Sequence, residues 1–314
     1  MDKIHNSLLK QNPDHITVCI CTYKRPSLLA DLLNKLKHQK TGGQFSYSIL
    51  VVDNDFRRSA EFAVAFFTRN TSLEVKYYVE KTQNISLARN KAVHHATGDF
   101  IAFIDDDEVP ENDWLQCLYN ALFRFAADAV LGPVLPCYKS RPPKWVIKGD
   151  FYKRQTWETG LRIDWRKGRT GNLLLKKQIF QDTGEFFDPD FGSGGEDQDF
   201  TRRMIQRGYI FVWCNEAVAY EIVLPYRWKR IFMLKRALQR GQLWLQLSRQ
   251  RYPESRFLMF IKALLAIPVY TLALPILLIL GHHWFMQYLI KIMFYSGGIL
   301  AMINLEAIKQ KYVM

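Results

Sequence analysis

The sequence predicts an α/β fold: a mostly parallel sheet flanked by helices, followed by a helical, membrane-associated hairpin at the C-terminus. Three observations predict it. Short apolar segments alternate with segments of helical period between residues 16 and 135, chemistry-bearing polar residues gather just after the apolar segments, and long uncharged stretches begin beyond Pro253.

The elements follow in order from period and punctuation. Residues 16–22 read as a strand, and a helix over 27–39 follows Lys24-Arg25-Pro26, where proline suits a helix start. A strand over 48–52 ends at Asp53, a helical stretch covers 60–67, and a strand over 74–79 leads through Asn84 into a helix over 86–95. The strand over 100–104 is unbroken apolar sequence; a helix over 113–125 and a strand over 129–135 complete the series. Apolar strands separated by helices form a parallel sheet covered on both faces, and such sheets bind ligands beyond the carboxyl ends of their strands. Thr22, Tyr23, Arg25, Asp53, Asn54, Asn84 and Asp105 to Asp107 share that address.

The strand over 100–104 runs directly into Asp105, Asp106, Asp107 and Glu108. Acids this close raise one another's pKa values, so a set that stays ionised implies a bound cation, a basic partner or both. Hard oxygen ligands favour Mg²⁺ or Mn²⁺, ions that bind through one or two carboxylates plus substrate phosphates. Taken alone, the tetrad also reads as a solvated acidic turn. The sequence after the first strand has no glycine-rich dinucleotide fingerprint and the chain has no P-loop, which leaves any phosphates to a metal and to basic side chains.

The net charge is +13, concentrated at 139–169 and 227–262. Nucleic acid, anionic lipid and phosphorylated substrates are all partners for such charge. Two separated patches, one beside an apolar tail, favour substrate plus membrane over a nucleic-acid face. Trp145, in the first patch, suits either stacking on a sugar ring or packing within a loop-rich subdomain. Arg227, Arg236 and Arg240, in the second, read mainly as a lipid-facing basic surface, with one or two in reach of a diphosphate. Residues 1–15 are polar and lack the apolar core of a signal peptide, so the body of the chain is expected in the cytoplasm. The five cysteines show neither zinc spacing nor an even-numbered framework, and no disulfide is expected.

In the second half, Thr170-Gly171-Asn172 opens a strand over 170–175, residues 184–191 form an aromatic, acidic turn, and Gly192 to Phe200 brings glycines up to Glu196-Asp197. The glycines permit positive φ, and the acids then sit in the first turn of a helix, where the dipole favours negative charge. Taken alone this reads first as a capped helix start, and second as a rigidly held carboxylate able to take a proton from a substrate hydroxyl.

In VCICTYKRP at 18–26, VVDND at 51–55, NISLARNKA at 84–92, GDFIAFIDDDEVP at 98–110, TGNLLL at 170–175 and GGEDQDF at 194–200, the chain resembles the GT-A-fold, family 2 glycosyltransferases. The likeness covers roughly residues 16–245, and within the family is nearest to bacterial exopolysaccharide glucosyltransferases of the succinoglycan type. It implies an inverting, metal-dependent transfer from a nucleotide sugar, a UDP-sugar first, to a lipid-linked or cell-surface glycan. By the same resemblance Thr22, Tyr23, Arg25, Asp53 and Asn54 surround the base and ribose, and Asn84 and Arg89 lie near the base or phosphates. Asp105 opens the DxD-type motif, Asp106 meets the ribose or metal, and Asp107 is the main ligand of Mn²⁺ or Mg²⁺. Asp197 is the catalytic base, with Glu196, Trp145 and Glu221 in acceptor or supporting roles. The chain departs from the pattern at Asn54, where a second acid is usual, and at Glu221, where many relatives place a metal-binding histidine. A catalytically inactive GT-A-fold membrane scaffold and a membrane-attached nucleic-acid-binding protein are the alternatives; the strand-end acids speak against nucleic acid as a partner.

The expected organisation is an N-terminal extension at 1–15, a catalytic domain at 16–252 with nucleotide and acceptor halves meeting near 138, and membrane-associated helices at 253–314. Residues 263–281 carry no charge, and at 1.5 Å per residue nearly span a ~30 Å hydrocarbon core. Their Leu, Ile and Val residues favour insertion by roughly 5 kcal/mol before the penalty for Pro268 and Pro275. Residues 284–303 are weaker because Lys291 sits near the middle, yet suit the return arm of a hairpin turning at His282-His283. Basic residues on both flanks, including Lys309 and Lys311, put both ends on the cytoplasmic face of a bacterial inner membrane. An interfacial helical pair in one leaflet is the alternative.

Overall fold

A computed structural model describes residues 13–183, 186–192, 194–251 and 253–303. Most of the expected N-terminal extension, Ser193 of the glycine-rich segment, and Lys309 and Lys311 lie outside the described residues. In chain order the elements are β1 (Asp14–Thr22), α1 (Pro26–Leu36), β2 (Phe45–Asp53), α2 (Glu61–Arg69), β3 (Val75–Val79) and α3 (Ile85–His95). There follow β4 (Phe100–Phe103), β5 (Glu108–Pro110), α4 (Trp114–Arg124), β6 (Ala129–Leu131), β7 (Val134–Cys137) and α5 (Lys144–Lys148). Then come β8 (Leu173–Lys176), α6 (Gln178–Thr183), α7 (Glu196–Gln206), β9 (Phe211–Trp213) and β10 (Ala219–Ile222). Three long helices close the described chain: α8 (Arg230–Arg251), α9 (Pro253–Leu280) and α10 (His282–Met302).

Seven strands form the main sheet in the order β3-β2-β1-β4-β8-β6-β9. All neighbours run parallel except β8, which is antiparallel to both β4 and β6. Period-two alternation sends Ile16, Val18 and Ile20 into a core under α1 and α4, and Cys19 into a second core under α3 and α7. Burial on both faces is what makes the strands read as continuous apolar runs.

A second sheet, β5-β10-β7, stands beside the first. The single strand expected over 129–135 is in fact β6 and β7, one in each sheet. The break falls at Gly132-Pro133: a Cβ on Gly132 would lie 2.2 Å from the Ala217 carbonyl oxygen, and Pro133 has no N–H for a ladder. This small sheet matters to the site because β10 pairs with β5 so that Glu221 lies opposite Glu108, and the Ile222 N–H bonds to the Asp107 carbonyl at 2.7 Å.

Phe260–Leu280 and His282–Met302 are each long and apolar enough to cross a membrane. Much of α9 is bare apolar surface, with Leu272 79% and Ile279 86% exposed. Along its other side α10 packs against α8 at glycine contacts, where a Cβ on Gly241 would lie 1.9 Å from the Phe294 carbonyl oxygen and one on Gly297 2.0 Å from that of Leu238.

Candidate active site

The acid tetrad sits where β4 ends. Thr22, the last residue of β1, donates from Oγ1 to Asp106 Oδ2 at 2.7 Å, and Arg25 donates from Nη1 to Asp106 Oδ1 at 3.0 Å and Asp107 Oδ2 at 3.3 Å. Arg227, in the turn before α8, holds Asp107 Oδ2 at 3.2 Å with one nitrogen and Glu221 Oε1 at 2.6 Å with the other. Arg154 takes the second oxygen of Glu221 at 2.5 Å. A guanidinium fork matches paired carboxylate oxygens, which is why arginine rather than lysine serves here.

Burial, and then the neighbouring carboxylates Asp106 and Glu221, push Asp107 up to about 7. Burial also raises Asp106, against the pull of Arg25. Burial pushes Glu221 up as well, but Arg154 and Arg227 outweigh it and hold this carboxyl below its usual value.

The second set of acids comes from the glycine-rich loop. Gly194 and Gly195 adopt φ of +130° and +94°, conformations that L side chains rarely adopt, and Gly195 caps α7. Glu196 and Asp197 therefore enter the first turn of α7. Glu196 is 3% exposed and forms an ion pair with Arg89 of α3, which also reaches Asp105 Oδ1 at 3.5 Å. Asp197 has no ion pair among the described residues; its Oδ1 accepts the Gln198 N–H at 2.8 Å. Burial raises its pKa, with Arg89 acting in the opposite direction.

Both sets open onto one cavity of about 690 Å³, large enough for a nucleotide sugar, with Asp107 and Asp197 in its wall. Thr22, Tyr23, Arg25, Asn54, Arg89, Asp105, Asp106, Glu196 and Glu221 line the same space. Three other residues expected at the site lie outside that lining. Asp53 is fully enclosed, its oxygens accepting from the Ala60 N–H at 2.7 Å, the Asp55 N–H at 3.0 Å and the Tyr77 hydroxyl at 2.9 Å. Asn84 caps α3, accepting the Leu87 N–H at 3.1 Å and donating to the Pro189 carbonyl at 2.9 Å. Trp145 packs edge-on against Phe151 and His282 at 5.4 and 5.2 Å between centroids. Asn54 does double duty: it faces the cavity and fastens the Glu80 and Thr82 carbonyls at 3.0 and 2.6 Å.

The reading of Arg227, Arg236 and Arg240 as chiefly lipid-facing is corrected, since all three line the cavity and Arg227 is 5% exposed. Net charge hides the acids opposite them, which are distant in sequence. A usable signal was present: Phe232, Arg236, Arg240 and Leu243 recur at helical spacing, and the cavity lines one face of α8 with them. Phe294 of α10 also lines the cavity, a contact that no motif in the tail announces.

Among the described residues no group of three or more His, Cys, Asp or Glu side chains forms a metal cage. The donors nonetheless fit a hard divalent cation: Asp107 is crowded by like charges that a cation would relieve, and such ions take one or two carboxylates and complete their shell with phosphate and water. Asp107 and Asp105 are the residues that would hold it.

The family model described as glycosyl transferase family 2 matches residues 17–185. The succinoglycan biosynthesis protein ExoM of Rhizobium meliloti is 35% identical over 230 residues, 73% of each chain. Among solved structures, a mannosyltransferase from Pyrobaculum calidifontis in complex with GDP-Man and Mn²⁺ is similar with a TM-score of 0.64 at 19% identity, covering 94% of this chain and 88% of that one. Residues 1–349 of S. aureus TarS in complex with UDP align with a TM-score of 0.52 at 16% identity, covering 95% of both chains.

Proposed function

Because the chain belongs to glycosyl transferase family 2, we propose that it is an inverting, metal-dependent enzyme that moves a sugar from a nucleotide sugar, a UDP-sugar in this reading, to a lipid-linked or cell-surface glycan. One observation carries it: Asp107 and Asp197, ninety positions apart, face the same cavity. Structural neighbours solved with GDP-Man and Mn²⁺ and with UDP or UDP-GlcNAc support a nucleotide-sugar donor.

The chemistry is a single displacement. Asp197 takes the proton of the acceptor hydroxyl as that oxygen attacks the anomeric carbon; the bond to the diphosphate breaks on the opposite face, and the configuration inverts. Asp197 suits the task because no cation among the described residues forms an ion pair with it, so an oxygen is available for the incoming proton. Arg25 and Arg227 orient the strand-end carboxylates and stand ready to meet phosphate oxygens. Asp107, with Asp105, would hold a divalent cation, whose chemistry there would be to neutralise the charge that gathers on the departing diphosphate. The apolar α9–α10 pair holds the domain at the cytoplasmic face of the membrane, where a lipid-linked acceptor is found.

The test is a panel of UDP-, GDP- and dTDP-sugars with Mn²⁺ or Mg²⁺ and membrane lipid extract as acceptor, scored for released nucleotide. One donor is expected to turn over only with metal and extract together. A chain that binds no nucleotide and releases none from any donor sinks the reading.

A further inference from the structure

A hairpin whose two helices cross a membrane with both ends in the cytoplasm must carry its turn to the far side, ~30 Å of hydrocarbon away from the catalytic body. Here the turn is fastened to that body. Arg230, the first residue of α8, donates from Nε to His282 Nε2 at 3.0 Å, and the His282 ring packs edge-on against Trp145 of α5 at 5.2 Å between centroids. Further along α10, Met286 is fully buried, Gln287 donates from Nε2 to the Gly149 carbonyl at 3.0 Å, Phe294 lines the cavity and Gly297 closes on Leu238. Contacts from His282 to Gly297 take up roughly 22 Å of helix. α10 is therefore seated on the catalytic body over most of its length. α9 is held at both ends, since α8 stops at Arg251 just before it and the His282 turn follows its last residue, Leu280.

The pattern of α9 says what covers its outer side. Leu265, Val269, Leu272, Ile276 and Ile279 are exposed at four- and three-residue steps, so they share one face over roughly 21 Å of helix. Water is a poor neighbour for that much contiguous apolar surface. Its borders are basic and aromatic: Lys262 is exposed one turn before Leu265, the Lys291 ammonium stands 4.4 Å from the Tyr288 ring centroid and 5.7 Å from that of Tyr270, and Trp284 is exposed beside the turn. No Asp or Glu occurs between Glu254 and Glu306. A second copy of this face would set like charges against like, whereas an anionic lipid surface takes the stripe into its acyl region and the cations and aromatic rings at its headgroups. Lys291 argues the same way, because in a crossing helix it would lie near the hydrocarbon centre, where an ammonium is costly.

We infer that the α9–α10 pair is a monotopic membrane surface: α9 lies flat in one leaflet, with the stripe from Leu265 to Ile279 among the acyl chains and Lys262 and Lys291 at anionic headgroups, and α10 is the seam that joins it to the catalytic domain. The inference rests on the proposed function only for the choice of the cytoplasmic leaflet. The cavity, lined by α8 and by Phe294 of α10, is thereby held at the membrane surface instead of hanging from a stalk.

The full chain carrying His283→Cys is treated in intact spheroplasts with a membrane-impermeant maleimide, and labelling in SDS, with the parent chain subtracted, gives the total for the added thiol. The native cysteines, Cys19 to Cys214, belong to the catalytic body and stay silent in either arrangement until the membrane opens. External labelling is expected at less than about a tenth of the total, because a monotopic turn never reaches the outer side. In a second arm the purified full chain is mixed with phosphatidylethanolamine–phosphatidylglycerol vesicles, detergent is removed, and flotation is scored beside UDP affinity with Mn²⁺. Leu272→Glu combined with Ile279→Glu, both at exposed positions outside the cavity lining, should lower vesicle partition at least about tenfold while UDP affinity changes less than about twofold.

External labelling near the total would put the turn outside the cell and overturn the monotopic arrangement. Equal flotation of the glutamate pair would remove the α9 stripe from the lipid, and a wild-type chain that stays behind as a soluble dimer would give the stripe to a second copy; either result overturns the inference. A chain that floats and hides its turn but binds no nucleotide sinks the transferase reading alone, and one that binds UDP but is labelled from outside sinks this inference alone.

Discussion

Arg89 forms an ion pair with Glu196, the residue directly before Asp197, and the same guanidinium reaches Asp105 at 3.5 Å. One side chain on α3 thereby ties the strand-end acids to the first turn of α7, which carries Asp197. Glu196 absorbs the nearest positive charge, which leaves Asp197 its neighbour's field but not its contact. Asp197→Asn should lower transfer by about 10²- to 10⁴-fold, the range of a positioned general base, with nucleotide-sugar affinity unchanged. Turnover and titration calorimetry on the same preparation check it; wild-type turnover by the variant removes Asp197 from the mechanism.

The pH profile follows from the same residue. Burial raises the Asp197 pKa above the ordinary carboxylate value, so the base becomes protonated, and useless, at a higher pH than an exposed aspartate would. Transfer should therefore fall as pH drops through that raised value and recover as pH rises. Replacing Arg89 with methionine removes the opposing positive charge and should move the acid limb to still higher pH. A limb that shifts downward, or stays put, contradicts the electrostatic link.

Metal removal should separate the roles of Asp107 and its arginines. Chelation is expected to weaken UDP binding, and Asp107→Asn should abolish most of the difference between binding with and without Mn²⁺. Retention of the full metal effect by that variant would exclude Asp107 as the principal ligand.

The sequence disclosed the sheet and the acids because both are local signals: apolar runs mark strands buried on two faces, and the tetrad follows its strand directly. It concealed the counter-charges. Glu221 meets Arg154 and Arg227 only because β10 registers against β5, and β-pairing between segments more than a hundred residues apart leaves no trace in either. The split of residues 129–135 between two sheets was similarly hidden, since Gly132 and Pro133 each interrupt a strand without saying where the next half goes. Tail residues read only as anchor because hydropathy reports insertion, not which side of α10 faces a cavity.

Asp53 shows how position at a strand end differs from exposure to a ligand. Its carboxylate accepts two backbone N–H groups and the Tyr77 hydroxyl, while burial and Asp53 itself raise the Tyr77 pKa. Asp53→Asn puts an NH₂ donor against one of these donors and weakens the rest, which should cost roughly 3 kcal/mol of stability. Thermal unfolding should register the loss as a drop of several degrees in Tm, with UDP affinity of the folded fraction unchanged. A large loss of affinity at unchanged Tm would instead return Asp53 to the nucleotide.

Gly241 tests whether the hairpin merely tethers the enzyme or completes it. A Cβ there would come within 1.9 Å of the Phe294 carbonyl oxygen, backbone that cannot swing aside, so Gly241→Ala must push α8 and α10 apart. Both helices line the cavity, α8 through Arg240 and Leu243 and α10 through Phe294, so the displacement opens the wall where Leu243 meets the glycine loop at Gly194. The expected outcome is about 1–3 kcal/mol of lost stability and a transfer rate that falls further than UDP binding does. Comparison in detergent with a chain ending at Arg251 extends the argument: a simple tether would be dispensable there, whereas a wall would not. Full transfer activity by the truncated chain in detergent would show that α10 serves only as an anchor.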